Sequence, residues 1–432
     1  MNTVMLKGLS TSVTPPITKI INLSISQNMF PSMWKLAVVA SIFKSRDPHS
    51  MSNYRPISIL PKVSKIAEKL IAKQIINHIN TTPYALHPMQ FGFRANYSTE
   101  TATCFFTENI RALLDRAGVV GAVFLDLRKA FDTVNYKILL TKLCSLNFSS
   151  DALKWIESYL TDRFQNVRVQ SFKSAALSLS TGLPQGSNLG PLLFSIYIND
   201  LPSVCLDVSV QMYADDTVDY VHDRNIFQVA EKLTNAMDNI TAWLKHSCLQ
   251  LNTPKTVAMF FTKFHKNFSV EPDIFVSGQR LQIVSEYKYL GVLIDSKLSF
   301  TSHVKRVCNR IKFTLSNFRH IRHQMSTQAA EMYMHSMIFS HITYCLPIWS
   351  QASVTSLKPL QSLYKQTVTI LEKNPCISHH YKNIDYSAGK TWSNIQIYVF
   401  CIKLFIVCPL GKVYLVKLLF LFELLLSGTS SP

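Results

Sequence analysis

The chain has 432 residues, of which 47% are apolar, 16% charged and 11% aromatic, with 12 Gly and 18 Pro; this balance excludes a disordered, collagen-like or low-complexity protein and supplies a large core. Lys and Arg outnumber Asp and Glu by 44 to 26, a formal charge of +18 with His neutral, so an extended polyanion such as nucleic acid is the first partner the composition points to. The length allows about two to four domains and excludes a single small binding module.

In chain order, the opening residues lack the apolar core and cleavage site of a secretory signal, and nine cysteines without a C-x-x-C or a zinc-spaced Cys/His cluster read as reduced and structural. A chain that is not secreted is expected. Pro61 to Ile75 reads as a basic amphipathic helix, with Val63, Ile66, Leu70 and Ile71 on one face and Lys62, Lys65, Lys69 and Lys73 on another. That lysine face suits either plain solvation or contact with phosphates.

Gly121 to Leu127 reads as a short buried strand, Asp151 to Leu160 as a helix and Phe164 to Gln170 as a strand. A turn-rich Gly182 to Gly190 leads into the apolar helix Pro191 to Ile198. Val208 to Tyr213 and Thr217 to Val221 flank Ala214-Asp215-Asp216 as the arms of a hairpin. A helix over Asn225 to His246 and strands over Thr256 to Phe261 and Tyr287 to Ile294 complete an α+β core, a small antiparallel sheet backed by helices.

Beyond Phe300 three helices are predicted, Thr301 to His323, Gln328 to Ser340 and Ser353 to Lys373. The first carries Lys305, Arg306, Arg310, Lys312, Arg319 and Arg322 with no acid before Met325, a run of one sign that favours phosphate contact over a mixed solvated surface. The apolar stretch 395–426 is interrupted by Lys403, Lys412, Lys417 and Glu423, so it falls short of the roughly 18–20 apolar residues of a spanning helix. No stable membrane partner is expected.

Two places put Asp where the pattern asks for apolar residues: Asp126 ends the buried strand, and Asp215 and Asp216 adjoin at the hairpin tip. A lone Asp-Asp pair reads first as a turn. Taken together, adjacent carboxylates raise one another's pKa and call for a counter-cation, and oxygen ligands without His or Cys select Mg²⁺, or Mn²⁺, over zinc. If Asp126 meets Asp215, the site has room for two ions about 3.5–4 Å apart, the arrangement of nucleotidyl transfer.

Three blocks in this order resemble the palm of a reverse transcriptase: Phe124-Leu-Asp-Leu-Arg-Lys-Ala-Phe-Asp-Thr-Val134, Gly182-Leu-Pro-Gln-Gly-Ser187 continuing to Gly190-Pro-Leu-Leu-Phe194, and Tyr213-Ala-Asp-Asp216. Asn53-Tyr-Arg-Pro-Ile-Ser58, Gln90-Phe-Gly-Phe-Arg94, Leu251-Asn-Thr-Pro-Lys-Thr256 and Tyr289-Leu-Gly-Val-Leu-Ile294 narrow the resemblance to the non-LTR retrotransposon, LINE-type and jockey-like branch. It covers about residues 30–375.

The resemblance implies a right-hand polymerase, an RNA-directed DNA polymerase working on an RNA template, a DNA primer or target DNA, and dNTPs. Its parts would be an N-terminal extension over 1–29, fingers over 30–120, a palm over 121–296, a helical thumb over 297–382 and a divergent apolar tail over 383–432, with the reverse transcriptase domain at about 30–296. Asp126 would bind two Mg²⁺ ions, Asp215 would share them, Asp216 would act less directly, and Leu127 would add a backbone carbonyl. Phe131 would close off the sugar 2′ position, and Gln185 and Gly186 would lie against nucleotide and template. Lys44 and Arg55 would hold the triphosphate, and Lys255 would neutralise or protonate the pyrophosphate. Tyr289 to Ile294 would form the primer grip, and Lys305, Arg306, Arg310 and Lys312 would track the heteroduplex.

Asn188 departs from the family's aliphatic residue, and Asn135-Tyr136 from its Asp-His. Too few residues precede Lys35 to hold the endonuclease of full-length elements, and the family pattern is left near Asn383, so a truncated or read-through copy is expected. Two other readings stay open: a viral-type RNA-dependent RNA polymerase, which the bulky Phe131 opposes, and a relic that binds nucleic acid without polymerising.

Overall fold

A computed structural model of the chain describes residues 8–44, 47–82, 86–263 and 272–372; the apolar tail lies outside them. The elements up to the acidic hairpin are α1 (Ser10–Ser26), β1 (Leu36–Phe43), β2 (Tyr54–Ile59), α2 (Lys62–Thr81), α3 (Thr99–Ala117), β3 (Val119–Leu125), α4 (Tyr136–Ser145), α5 (Ser150–Leu160), β4 (Arg163–Val169), β5 (Phe172–Lys173), β6 (Leu177–Leu179), α6 (Gly190–Tyr197), β7 (Ser209–Tyr213) and β8 (Asp216–Asp223). There follow α7 (Ile226–His246), β9 (Val257–Thr262), β10 (Phe275–Val276), β11 (Gln279–Arg280), β12 (Gln282–Ile283), β13 (Glu286–Tyr289), β14 (Val292–Asp295), α8 (Thr301–Ile321), α9 (Thr327–Met334), α10 (Ser340–Thr343), α11 (Leu346–Trp349) and α12 (Val354–Glu372). The described residues fall into two compact units, one within 8–93, 117–260 and 272–283 and the other within 94–116, 261–263 and 284–372.

The first unit is built on a sheet of order β12-β9-β3-β8-β7. Every residue of β3 is buried, as expected for a central strand covered on both faces. Helix α7 packs on β3 through Val229 and Leu233, and a Cβ at Gly121 would stand 2.5 Å from Val229 and 2.8 Å from Leu233. A second sheet, order β2-β1-β4-β5 with β6 on β4, pairs β1 antiparallel to β2 and parallel to β4.

Local chemistry sets the helix starts. The Asn225 side chain accepts from the Phe227 N–H to start α7, and Ser149 caps α5. Asn135, a departure from the family pattern, caps α4 by accepting from Lys137 and Ile138 N–H. Helix α2 turns differently from its apolar pattern: Ala67, Glu68, Ile71, Ile75 and Ile79 are buried, while Ile66 and Leu70 are exposed. The reason is Glu68, whose carboxylate accepts from Ser64 Oγ at 2.8 Å and from the Asn188 N–H at 2.7 Å; satisfied in this way, a buried acid can displace leucine from the inner face. Lys62, Lys69 and Lys73 are exposed as expected.

The second unit is mainly helical, with β13, β14 and the last residues of β9 as its strands. Tyr287 to Ile294 reads as one strand by its alternation, yet it is a tight hairpin with Tyr289 opposite Val292. Leu290 and Gly291 turn at φ 44° and 93°, and the Leu290 carbonyl accepts from Tyr344 Oη at 2.6 Å. Helix α8 buries Val304, Val307, Cys308, Ile311, Leu315 and Phe318 and packs on α12. The single helix predicted over Gln328 to Ser340 ends at Met334 and passes through a π turn, His335–Phe339, into α10. No described helix is long and apolar enough to cross a membrane.

Candidate active site

Strands β3 and β8 run antiparallel, with Leu125 opposite Thr217. One further step along this register brings Asp126 alongside Asp216. Strands β7 and β8 close on Tyr213 opposite Asp216, so Ala214 and Asp215 form a two-residue turn, and Ala214 takes the left-handed φ of 56° that such a turn demands at its first position. The three predicted acids are therefore gathered at one end of the neighbouring strands β3, β8 and β7, all within the first unit.

Their charges are felt mutually. The Asp216 carboxyl is pushed up to about 6 by burial first, then by Asp215 and Asp126, against the pull of Lys44. Asp215 is also raised, by burial and by Asp126, while its own backbone N–H, Arg55 and Lys44 pull it down. Both residues are exposed at the tip of the turn.

Asp126 is tied by neighbours that sequence reasoning passed over. Its Oδ2 accepts from Asn252 Nδ2 at 2.6 Å, its carbonyl accepts from Asn252 N–H at 2.7 Å, and its N–H donates to Thr256 Oγ1 at 3.3 Å. Lys255 Nζ stands 3.9 Å from Asp126 Oδ2. Leu127 bridges to Leu251, and Arg128 N–H donates to the Gln250 carbonyl at 2.8 Å. The Leu251 to Thr256 block carries these residues, and its asparagine and threonine hold Asp126 beside the lysine.

The Gly182 to Gly190 segment is laced to both neighbours. Gln185 Nε2 donates to Asp132 Oδ1 at 2.8 Å, and the Gln185 carbonyl accepts from Ser58 N–H at 2.7 Å. Gly186 sits at φ 122°, and a Cβ there would stand 2.6 Å from the Ser58 carbonyl, so only glycine fits this close approach. Asn188 Nδ2 donates to the Lys65 carbonyl at 2.7 Å, which gives the second departure from the family pattern its local reason. Phe131 is half-buried and stacks on Phe194, with ring centroids 4.5 Å apart at 20°. Lys44 and Arg55 lie at the loop end of the β1–β2 hairpin, where Ile42 pairs with Arg55.

In the second unit Lys305, Arg306, Arg310 and Lys312 are all exposed on α8. Among the described residues none of the four is in an ion pair; Arg310 Nε donates to His341 Nε2 at 2.9 Å.

The sequence has relatives among known proteins. The family model described as reverse transcriptase (RNA-dependent DNA polymerase) matches residues 43–294. The chain belongs to the reverse transcriptase family. It is 31% identical over 385 residues to a probable RNA-directed DNA polymerase from transposon BS of Drosophila melanogaster, covering 86% of this chain and 42% of that relative. It is 28% identical over 368 residues to the RNA-directed DNA polymerase from mobile element jockey of the same organism, covering 82% and 40%. This family member thus spans about two fifths of the length of those curated relatives. Among solved structures it is similar to apo telomerase from Candida tropicalis, at 12% identity and a TM-score of 0.45 over 95% of this chain and 74% of that one.

Proposed function

We propose that this chain is an RNA-directed DNA polymerase that adds dNTPs to a primer 3′-hydroxyl on an RNA template. The observation that carries the reading is the meeting of Asp126, Asp215 and Asp216 at one end of strands β3, β8 and β7, with Lys44 and Arg55 as cations whose charges act on them.

Reverse transcriptases depend on divalent metal. Among the described residues no group of three or more His, Cys, Asp or Glu side chains is placed to hold a metal ion by itself. Mg²⁺ typically takes one or two carboxylates and completes its shell with water and substrate phosphate, so two adjacent carboxylates raised by burial and repulsion fit such an ion. Asp126, Asp215 and Asp216, with the Leu127 carbonyl, would hold two Mg²⁺, or Mn²⁺, and these ions would activate the attacking hydroxyl and steady the charge on the transferring phosphoryl group.

The remaining roles belong to the chain's own residues. Arg55 presents a planar fork and Lys44 a point charge to the triphosphate. Lys255, beside Asp126, is placed to neutralise or protonate the pyrophosphate as it leaves. Gln185 and Gly186, pinned by Asp132 and Ser58, offer a rigid backbone against which nucleotide and template lie. Regions 30–120, 121–296 and 297–382 take the parts of fingers, palm and thumb.

Phe131, held flat by Phe194, blocks the ribose 2′ position. Phe131→Val is expected to lower the preference for dNTPs over NTPs by about 10–100-fold, the scale of one or two methylenes in a pocket, measured as the ratio of kcat/KM values in RNA-templated extension. Unchanged selectivity in an active variant would remove the residue from this role.

The α8 cations bind the duplex backbone. The double variant Lys305→Gln, Arg306→Gln is expected to weaken RNA–DNA binding uniformly across sequences and to lower the slope of log affinity against log salt by about 2, read by fluorescence anisotropy. An unaltered slope would leave these cations as solvated surface.

A further inference from the structure

Met89 to Gly92 lies beside β7 as a half-strand. Met212 N–H donates to the Met89 carbonyl at 2.9 Å and Phe91 N–H to the Met212 carbonyl at 2.8 Å, with Gln90 bridged in parallel to Met212. Gln90 is fully buried. Its Oε1 accepts from Gly92 N–H at 2.8 Å and from Ala214 N–H at 3.3 Å. The approach is close, since a Cβ on Gly92 would stand 2.3 Å from the Ala214 nitrogen, and the Gly92 carbonyl accepts in turn from Ser195 Oγ at 3.3 Å.

Ala214 is the residue that aims Asp215. It holds a left-handed φ, a conformation unfavourable to a non-glycine residue that persists where the surroundings enforce it. Gln90 supplies that enforcement with a neutral acceptor. Two N–H groups are satisfied without bringing another negative charge to a turn that already carries Asp215 and Asp216.

From this geometry we infer that Gln90 is a positioning residue of the acidic turn: its amide oxygen fixes Ala214 and thereby the direction in which Asp215 presents its carboxylate. The inference rests on the polymerase reading above. A misplacement of about 1 Å in a catalytic group can cost about 100-fold in rate, so the clasp matters to the reaction while touching neither substrate nor metal.

The test uses the full chain with Mg²⁺, an RNA template, a DNA primer and dNTPs. Gln90→Met keeps the length and removes the acceptor; it is expected to lower kcat about 10–100-fold, to raise the Mg²⁺ concentration for half-maximal rate severalfold, and to leave KM for dNTP and RNA binding within about twofold. Adding Ala214→Gly should recover at least tenfold of the lost rate, because glycine adopts the left-handed turn without the clasp. Gln90→Asn, which withdraws the acceptor by one methylene, should show the same signature as the methionine variant.

A wild-type rate and Mg²⁺ dependence in Gln90→Met would overturn the proposal, as would a loss that Ala214→Gly fails to recover. Failure of both Gln90 variants to fold would make the residue part of the core alone and also overturn it. A folded wild type that extends no primer would instead count against the polymerase reading, so the two failures are told apart.

Discussion

Asp215→Asn is expected to lower RNA-templated primer extension by at least about 1000-fold, while RNA binding stays within about twofold. Asparagine keeps the shape of the side chain and removes its charge, so the turn between β7 and β8 survives and only the capacity to hold a divalent cation is lost. A catalytic divalent ion is worth several kcal/mol in a transition state, and each 1.36 kcal/mol is tenfold in rate. Asp126→Asn is expected to match it, with Asn252 still able to bond the new amide oxygen. Asp216→Asn, at the less direct position, should cost less.

The same substitution at Asp216 has a second readout. A carboxyl raised to about 6 in the fold, from about 3.9 in an unfolded chain, favours the native state most below pH 4, and that contribution is lost as pH rises to 6. In the absence of metal, Asp216→Asn is therefore expected to flatten the denaturation midpoint between pH 4 and 6. Full extension by Asp126→Asn or Asp215→Asn would remove the acids from the chemistry.

The second large effect is expected at Asp219→Val, as a gain of stability. Asp219 is fully buried in β8, between Val123 of β3 and Val210 of β7, and neither carboxylate oxygen has a hydrogen-bond partner. Burial pushes its pKa well above the carboxylate range. The nearby Cys205 thiol is pushed to about 12 by burial first and then by Asp219. A buried polar group left without a partner costs about 1–3 kcal/mol, more when charged, and valine restores the apolar pattern of the strand. The gain should be about 1–3 kcal/mol at pH 4 and larger at pH 8.

The sign follows from linkage. With its folded pKa raised, Asp219 favours the native state most below the unfolded value of about 3.9 and weakens it as pH rises towards the folded value. Asp219→Val should remove that slope. Urea midpoints of wild type and variant between pH 4 and 8 measure it, and a destabilised valine variant, or a slope left intact, would show that Asp219 has partners the fold needs.

The parts of the site that were legible in the sequence are those where local pattern and chemistry disagree. Asp126 at the end of a wholly buried strand, and Asp215 and Asp216 at a hairpin tip, stand out because apolar alternation has no place for them. The contacts that hold them in place were not legible. Asn252 and Thr256 reach Asp126 across more than 120 residues of sequence, and Gln90 reaches Ala214 through a half-strand whose register nothing local announces. Alternation also hides a turn: in Tyr287 to Ile294 the left-handed residues are Leu290 and Gly291, and leucine gives no turn signal.

The inward turn of Glu68 had a similar cause. A carboxylate on a helix face reads as solvent-facing until its partners are known, and these are Ser64 one turn away and the Asn188 N–H far along the chain. Asn188 and Asn135 both depart from the family pattern. In the fold the first closes the hydrogen bonding between α2 and the Gly182 to Gly190 segment, and the second caps α4.

RNA-templated primer extension by the full chain, with Mg²⁺ and labelled dNTPs beside Asp215→Asn, bears most directly on the proposed activity. A DNA product that lengthens along the template with wild type and is lost in the variant is the predicted result. A folded wild-type chain that shifts RNA in a gel yet incorporates no dNTP would contradict it and favour a protein that binds nucleic acid without copying it.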